Sequence, residues 1–238
     1  MAFQKITDRA DGVKQKLGNR SDLTTRIYLW LRDAYIELAM AYPFDELLST
    51  YDGVTIGGTS ETGTYTYPTG TRAIRSLAII DTSTKQSTTL ARKNIREIDN
   101  YSTTTKTKPS IYCTWVLQTP SFVRQVLIRP LADKVYTMRW RIWLLPTISG
   151  TVQNTELAVS DDWLEIVDYC AALRGFTELL EHDRATAIRD LLYGFIDPRS
   201  GKRQPGLIAS RMTGMQAEYE AGELPFGDLS TKVAHGKA

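Results

Sequence analysis

The chain is poor in the residues that build covalent frameworks and metal sites. It holds two cysteines, Cys113 and Cys170, and two histidines, His182 and His235. Two distant thiols in different kinds of segment make neither a disulfide framework nor a C-x-x-C metal spacing. They read as buried free thiols in a reducing compartment. His182 is expected at a helix end, where a cation is mildly favoured, and His235 falls in the tail. Neither has a second ligand at usable spacing, so no metal and no cofactor is expected. A dominant charge is missing as well: 29 basic against 27 acidic side chains leave a net +2. A protein that lives on phosphate contacts shows a stronger basic excess, at least locally, so this balance gives no push towards nucleic acid. No apolar run approaches the roughly 18–20 residues of a membrane span. The opening "MAFQKITDRADG" puts charges where a signal peptide needs an apolar core. A cytoplasmic protein with no membrane partner is the expectation.

Recognisable catalytic constellations are missing too. "GGTSETGT" at 57–64 has the glycines of a phosphate loop. It has no lysine before the Ser/Thr, and strand-like "TYTYP" follows where a helix N-terminus is required. It reads as a Gly/Ser/Thr hairpin loop. Asp161, Asp162 and Glu165 could pair for acid/base work, but the first turn of a helix accounts for them without chemistry. No Ser or Cys lies in a nucleophile motif. No catalytic residue is therefore assigned and no enzyme is expected.

What is present is organised in blocks. With 42% hydrophobic residues the chain can bury one large core or two small ones. Phe3, Ile6, Ala10, Val13 and Leu17 recur at helical spacing and predict a first helix that ends at Gly18-Asn19. Ser21 or Asp22 is the expected cap of a second helix, with Leu23, Ile27, Trp30, Leu31, Ala34, Leu38 and Ala41 on one face and Pro43 as its stop. From Tyr51 to Pro146 the chain turns to Thr, Ser, Gly and Tyr with alternating apolar residues. "GTYTYP", "RSLAIID", "SIYCTWVLQ", "FVRQVLIRP" and "VYTMRWRIWLLP" are predicted strands, and "LARKNIREIDNY" a short helical interruption. Helix returns at "SDDWLE" and runs through Trp163, Ile166, Val167, Cys170, Leu173 and Leu180, with Gly175 interrupting its stripe. Another helix follows through Ile188, Leu191, Leu192 and Phe195.

The predicted fold class is α+β: a helical bundle built from N- and C-terminal helices, an inserted antiparallel β domain, and an extended C-terminal tail. Residues 1–50 and 155–197 are assigned to the bundle, 51–154 to the insertion and 198–238 to the tail. In the tail, Ile208, Met212, Met215 and Tyr219 fall at helical spacing. A helix this short is marginal alone. It reads either as a frayed end or as a segment that orders when its apolar face docks on a partner. A chain ending near Pro198 is then expected to keep its fold.

Strand parity sorts "MRWRIWLLP". Tyr136, Met138, Trp140, Ile142 and Leu144 share one face, while Val135, Thr137, Arg139, Arg141 and Trp143 share the other. A single-strand nucleic-acid platform wants its aromatics and cations together, and here Trp140 is committed to the core. Arg139, Arg141 and Trp143 remain open to three readings: an ordinary solvated face, a subunit contact, or a phosphate-facing surface. The last would make the chain a nucleic-acid-binding module.

The order of these blocks resembles the head-to-tail adaptors of tailed bacteriophages, including the tail tubular protein A-like gatekeepers. "VKQKLGNRSDLTTRIYLWLRDAYIELAMAYPFDEL" is similar to the family's opening hairpin. "YTYPTGTRAIRSLAII", "KPSIYCTWV" and "VLIRPLADKVYTMRWRIWLLP" resemble its β insertion, with Tyr65 and Pro68 matching a Tyr-x-x-Pro opening. The expected Pro-Asp turn reads Pro130-Leu131-Ala132-Asp133. "LAVSDDWLEIVDYCAALRGFTEL" resembles the returning helix. The resemblance implies a structural virion protein of the neck, assembled in the host cytoplasm. It implies a ring of twelve copies under the portal protein, joined below to a tail or nozzle protein, with genomic DNA passing through its channel during ejection. On that reading the tail residues dock on the portal, and Arg139, Arg141 and Trp143 meet a neighbouring subunit or the channel.

Overall fold

The computed structural model describes residues 3–58, 62–117 and 123–212. The fold is α+β and divides into two units. Among the described residues, one is helical and is drawn from those up to Leu47 and from Leu145 to Met212; the other is the β unit Leu48–Leu144.

In the helical unit, α1 (Ile6–Lys16) buries Ile6, Ala10 and Val13 as one stripe. Asp8 accepts the Lys5 backbone N–H at 2.8 Å, which satisfies a donor at the helix start. The helix closes where Gly18 and Asn19 take positive φ and the Asn19 N–H returns to the Lys14 carbonyl. Before α2 (Thr24–Ala41) the expected cap does not form. Residues Ser21–Leu23 make a 3-10 turn, and Asp22 is held by the Arg20 guanidinium at 2.8 and 2.9 Å instead. The charged partner two residues away competes successfully for the capping carboxylate. α2 packs on α4 (Asp161–Glu178) and on α1. Gly175 of α4, expected as an interruption, is a packing site: a Cβ there would lie 2.9 Å from the Trp30 ring. Tyr42 and Phe44, just past α2, sit with ring centroids 5.0 Å from Trp163.

α5 (His182–Tyr193) differs from expectation at both ends. His182 opens this helix rather than closing the one before. Phe195 is not in it, because Gly194 adopts φ 83° and turns the chain into β11 (Gly194–Ile196). A Cβ on Gly194 would meet the Gln204 carbonyl oxygen at 2.2 Å, so only glycine fits. β11 pairs antiparallel with β12 (Arg203–Pro205).

The segment before α4 is sewn to the chain's beginning. Ile6 N–H donates to the Thr155 carbonyl at 3.0 Å and Leu157 N–H to that of Gln4 at 2.8 Å. Thr7 Oγ1 donates to the Gln153 carbonyl at 2.7 Å. Arg9 then grips Asp168 with two donors, Nε at 3.2 Å and Nη2 closer. The Asp168 side chain is 2% exposed. Burial pushes its carboxyl above the usual range, against the pull of the Arg9 hydrogen bonds and charge.

The β unit contains β1 (Leu48–Ile56), β2 (Thr64–Thr66), β3 (Thr71–Asp81), β4 (Ser87–Thr89), β5 (Ala91–Arg92), α3 (Ile95–Asp99), β6 (Lys106–Thr107), β7 (Ile111–Leu117), β8 (Val123–Arg129), β9 (Leu131–Ala132) and β10 (Tyr136–Leu144). One sheet runs β1-β10-β3-β4 and a second β2-β8-β7-β5. They share a core in which Ile56, Ile74, Leu77 and Ile79 meet Tyr112, Val126 and Ile128 around Tyr136, Met138, Trp140 and Ile142. The long pairings are antiparallel, but β5 with β7 and β6 with β9 pair parallel, which departs from a purely antiparallel insertion. Asn94 caps α3, accepting from Glu97 N–H at 3.0 Å while Glu97 accepts from Asn94 N–H at 3.1 Å.

The buried ion pair of the helical unit gives a prediction. Arg9→Met strands a buried carboxylate and should cost about 3 kcal/mol at neutral pH. Because a raised carboxyl pKa means the folded state binds its proton more readily, that loss should shrink as pH falls and Asp168 neutralises. Arg9→Met combined with Asp168→Leu should recover most of the stability. Urea unfolding at pH 7 and pH 4.5 checks this; an undiminished loss in the double variant would refute it.

Candidate interaction surfaces

The outer face of β10 is the first sequence-derived candidate. Arg139 stands opposite Asp52 of β1, and the two form a forked pair: Nε lies 2.9 and 3.0 Å from the carboxylate oxygens and Nη2 at 2.7 Å. These hydrogen bonds hold the Asp52 carboxyl below its usual range. Its contribution to stability is present at neutral pH and lost as pH falls through the lowered value. Arg141 lies between Thr50 and Ser76, is exposed, and makes no ion pair among the described residues.

Trp143 corrects the reading of a wet face: it is 0% exposed. Parity fixes which face a side chain takes, not what covers that face. The register of β10 against β3 shifts between Arg141 and Ile142 and again between Trp143 and Leu144. The Arg75 guanidinium, at one of these shifts, lies 5.9 Å from the centroid of the Trp143 ring. Arg139, Arg141 and Trp143 therefore do not form one exposed constellation.

The start of the tail is the second candidate, and part of it is already built into the helical unit. Residues 207–212 are helical and Ile208 is 4% exposed, so Ile208 is not waiting for a partner. Gly206 explains the close approach: a Cβ there would lie 2.3 Å from the Leu192 carbonyl oxygen. Arg211 reaches Asp162, at the beginning of α4, at 3.4 Å. A chain ending near Pro198 would lose β12, Ile208 and this ion pair, so that cut does not leave the fold untouched. Met212 is partly buried; Met215 and Tyr219 lie outside the described residues.

Two surfaces escaped the sequence reading. On the helical unit, α5 buries only Leu192. Leu180 is 72% exposed and Ile196 69%, and Leu191, Tyr193 and Phe195 are also exposed. The sequence signal was there, since Leu191 and Leu192 are adjacent and cannot both face one neighbour. On the β unit, Trp115 and Val116 project from β7 beside a groove of about 790 Å³ that includes Arg92 and Lys93. A smaller hollow of about 220 Å³, sharing Arg92 and Trp115, adds Tyr67 and Arg124. Basic and aromatic groups do meet in this protein, but around β7, because they come from separate strands that only folding brings together.

Among the described residues, no helix is long and apolar enough to cross a membrane, and no group of three or more His, Cys, Asp or Glu could hold a metal. Apolar side chains offered by α5 and β11, and a basic aromatic groove on an inserted β unit, define a protein whose surfaces suit other macromolecules. The family model for the SU10 adaptor protein matches residues 4–204, and the chain belongs to that family, one of phage head-to-tail adaptors. It is thus a phage structural protein of the adaptor class. No curated protein matches the chain.

The Arg139–Asp52 fork predicts weak dependence of nucleic-acid binding on β10. In a gel shift, the Arg139→Ala, Arg141→Ala double variant should bind DNA within about twofold of the unaltered chain. A loss of tenfold or more, with steep salt dependence, would restore β10 as a phosphate surface. Both side chains of the fork are about one-third exposed, so Asp52→Asn should cost well under ~1 kcal/mol.

Proposed function

We propose that the chain works as a ring-forming connector of the virion neck. Copies of it, twelve on the family resemblance, sit beneath the portal protein, receive the next tail or nozzle protein, and surround the passage through which genomic DNA leaves. The observation that carries this is family membership over residues 4–204. Apolar exposure at Leu180, Leu191, Phe195 and Ile196 supports it, because an assembly part leaves such surfaces to be covered by its partners. The role is structural, with no chemical step. Met212, Met215 and Tyr219 are the proposed portal-docking residues of the tail, with Ile208 as the buried root that anchors them. Arg141 is the β10 side chain proposed to meet a neighbouring subunit or the channel, with Arg139 acting through its Asp52 partner and Trp143 supporting the strand from within.

The second reading, a nucleic-acid-binding module centred on Arg139, Arg141 and Trp143, has less to stand on, since one cation is neutralised and the aromatic is buried.

Solution mass of the chain, alone and mixed with the candidate portal, tests the connector. A ring-sized complex is the expected outcome, and a persistent monomer that ignores the portal would sink it. Truncation after Met212 keeps β12, Ile208 and the Arg211–Asp162 pair. That variant should still fold, with the helical content expected of residues 1–212, but hold the portal at least tenfold more weakly; undiminished attachment would remove the tail from the interface.

A further inference from the structure

β7 is an inner strand for only part of its length. β8 lies along one side throughout, from Ile111 opposite Arg129 to Leu117 opposite Val123. On the other side β5 covers only Ile111 and Tyr112. Lys93 N–H still reaches the Tyr112 carbonyl at 2.8 Å. From Thr114 onward this side has no strand beside it among the described residues. An open edge is a template for another extended segment unless it is blunted. Here it is marked for occupation. Trp115 and Val116 are 45% and 49% exposed, and the groove alongside takes its charge from Arg92 and Lys93, with Arg124 and Tyr67 beyond. Among the described residues, neither hollow has a carboxylate in its lining. Lys93 is paired with Glu97 at 3.1 Å.

The chain carries a segment of matching chemistry. Between Arg211 and Lys232 there is no basic residue, and four carboxylates occur: Glu218, Glu220, Glu223 and Asp228. Within that stretch "EAGELPFGDL", residues 220–229, interleaves acids with Leu224, Phe226 and Leu229. We propose that residues 220–229 bind as an added strand on the open edge of β7. Their main chain pairs from Thr114 onward, Leu224 and Phe226 cover Trp115, and the carboxylates meet Arg92, Lys93 and Arg124. Pro225 is compatible, because the added strand becomes the new edge and a missing N–H there can face water. The inference concerns the isolated chain and does not rest on the connector reading.

The test uses the full chain with a benzoylphenylalanine photocrosslinker in place of Phe226, followed by digestion and mass spectrometry. Crosslinks should fall on peptides holding residues 92–95 or 113–116; a mixture of isotopically heavy and light chains reads whether one copy or two is involved, and either satisfies the proposal. Yield should fall at least tenfold in Arg92→Glu with Trp115→Ala. It should fall as far in Glu220→Lys with Glu223→Lys and Asp228→Lys, which leaves the β unit unaltered. Arg92→Glu combined with Glu223→Arg should recover part of the yield. Crosslinks elsewhere, or none, overturn the proposal. So does a short oligothymidylate that binds with the same Arg92 and Trp115 dependence while the crosslink is absent, which would make the groove a nucleic-acid surface.

Discussion

Arg9 and Asp168 are 159 residues apart in sequence and joined by two hydrogen bonds. Everything else in the helical unit depends on that distance being closed. Its hydrophobic stripes belong to segments separated by the whole β unit, so α1 and α2, which pack on each other, complete their burial only where the returning α4 lies against them. The backbone bonds at Ile6 and Leu157 fix the register of the return, and the buried pair fixes its depth. A buried charge tolerates little error in placement, since a displaced Arg9 leaves an uncompensated carboxylate. The pair contributes less to net stability than to making one packing of α1 on α4 preferable to its neighbours.

The β unit solves a different problem. Its two sheets share one core, and the bulges on β3 and at Gly53 of β1 let long strands bend around it without losing pairing. The cost is an irregular outer surface: exposed at Arg141, closed at Trp143, and open-edged at Thr114. Those irregularities are where the chain can meet other molecules.

Periodicity carried α1, α2 and α4 and five of the strands, because each buries a stripe that repeats at its own structural period. It failed where a single local contact outweighed the pattern. Arg20 took Asp22 away from its cap, Gly194 cut short a stripe expected to run on through Phe195, and Gly175 served Trp30 rather than breaking α4. The α+β class and the adaptor family were legible in the order of the blocks. The surfaces were not. Parity placed Arg139 and Trp143 on one face but said nothing of Asp52 across the ladder or of what closes over the indole. The groove at Trp115 draws on Tyr67, Arg92 and Arg124, which no short window contains. Sequence showed these residues singly; tertiary structure made them a site.

Leu48, the first residue of the β unit, pairs with Trp143, its last but one. Entry and exit therefore leave the sheet side by side, whatever lies between them. To the helices, the insertion is a loop whose ends are already held together. Its length and decoration can drift without stretching the span those helices must close. Over evolution, the half of the molecule that is sewn together and the half that is plugged in are free to diverge at different rates.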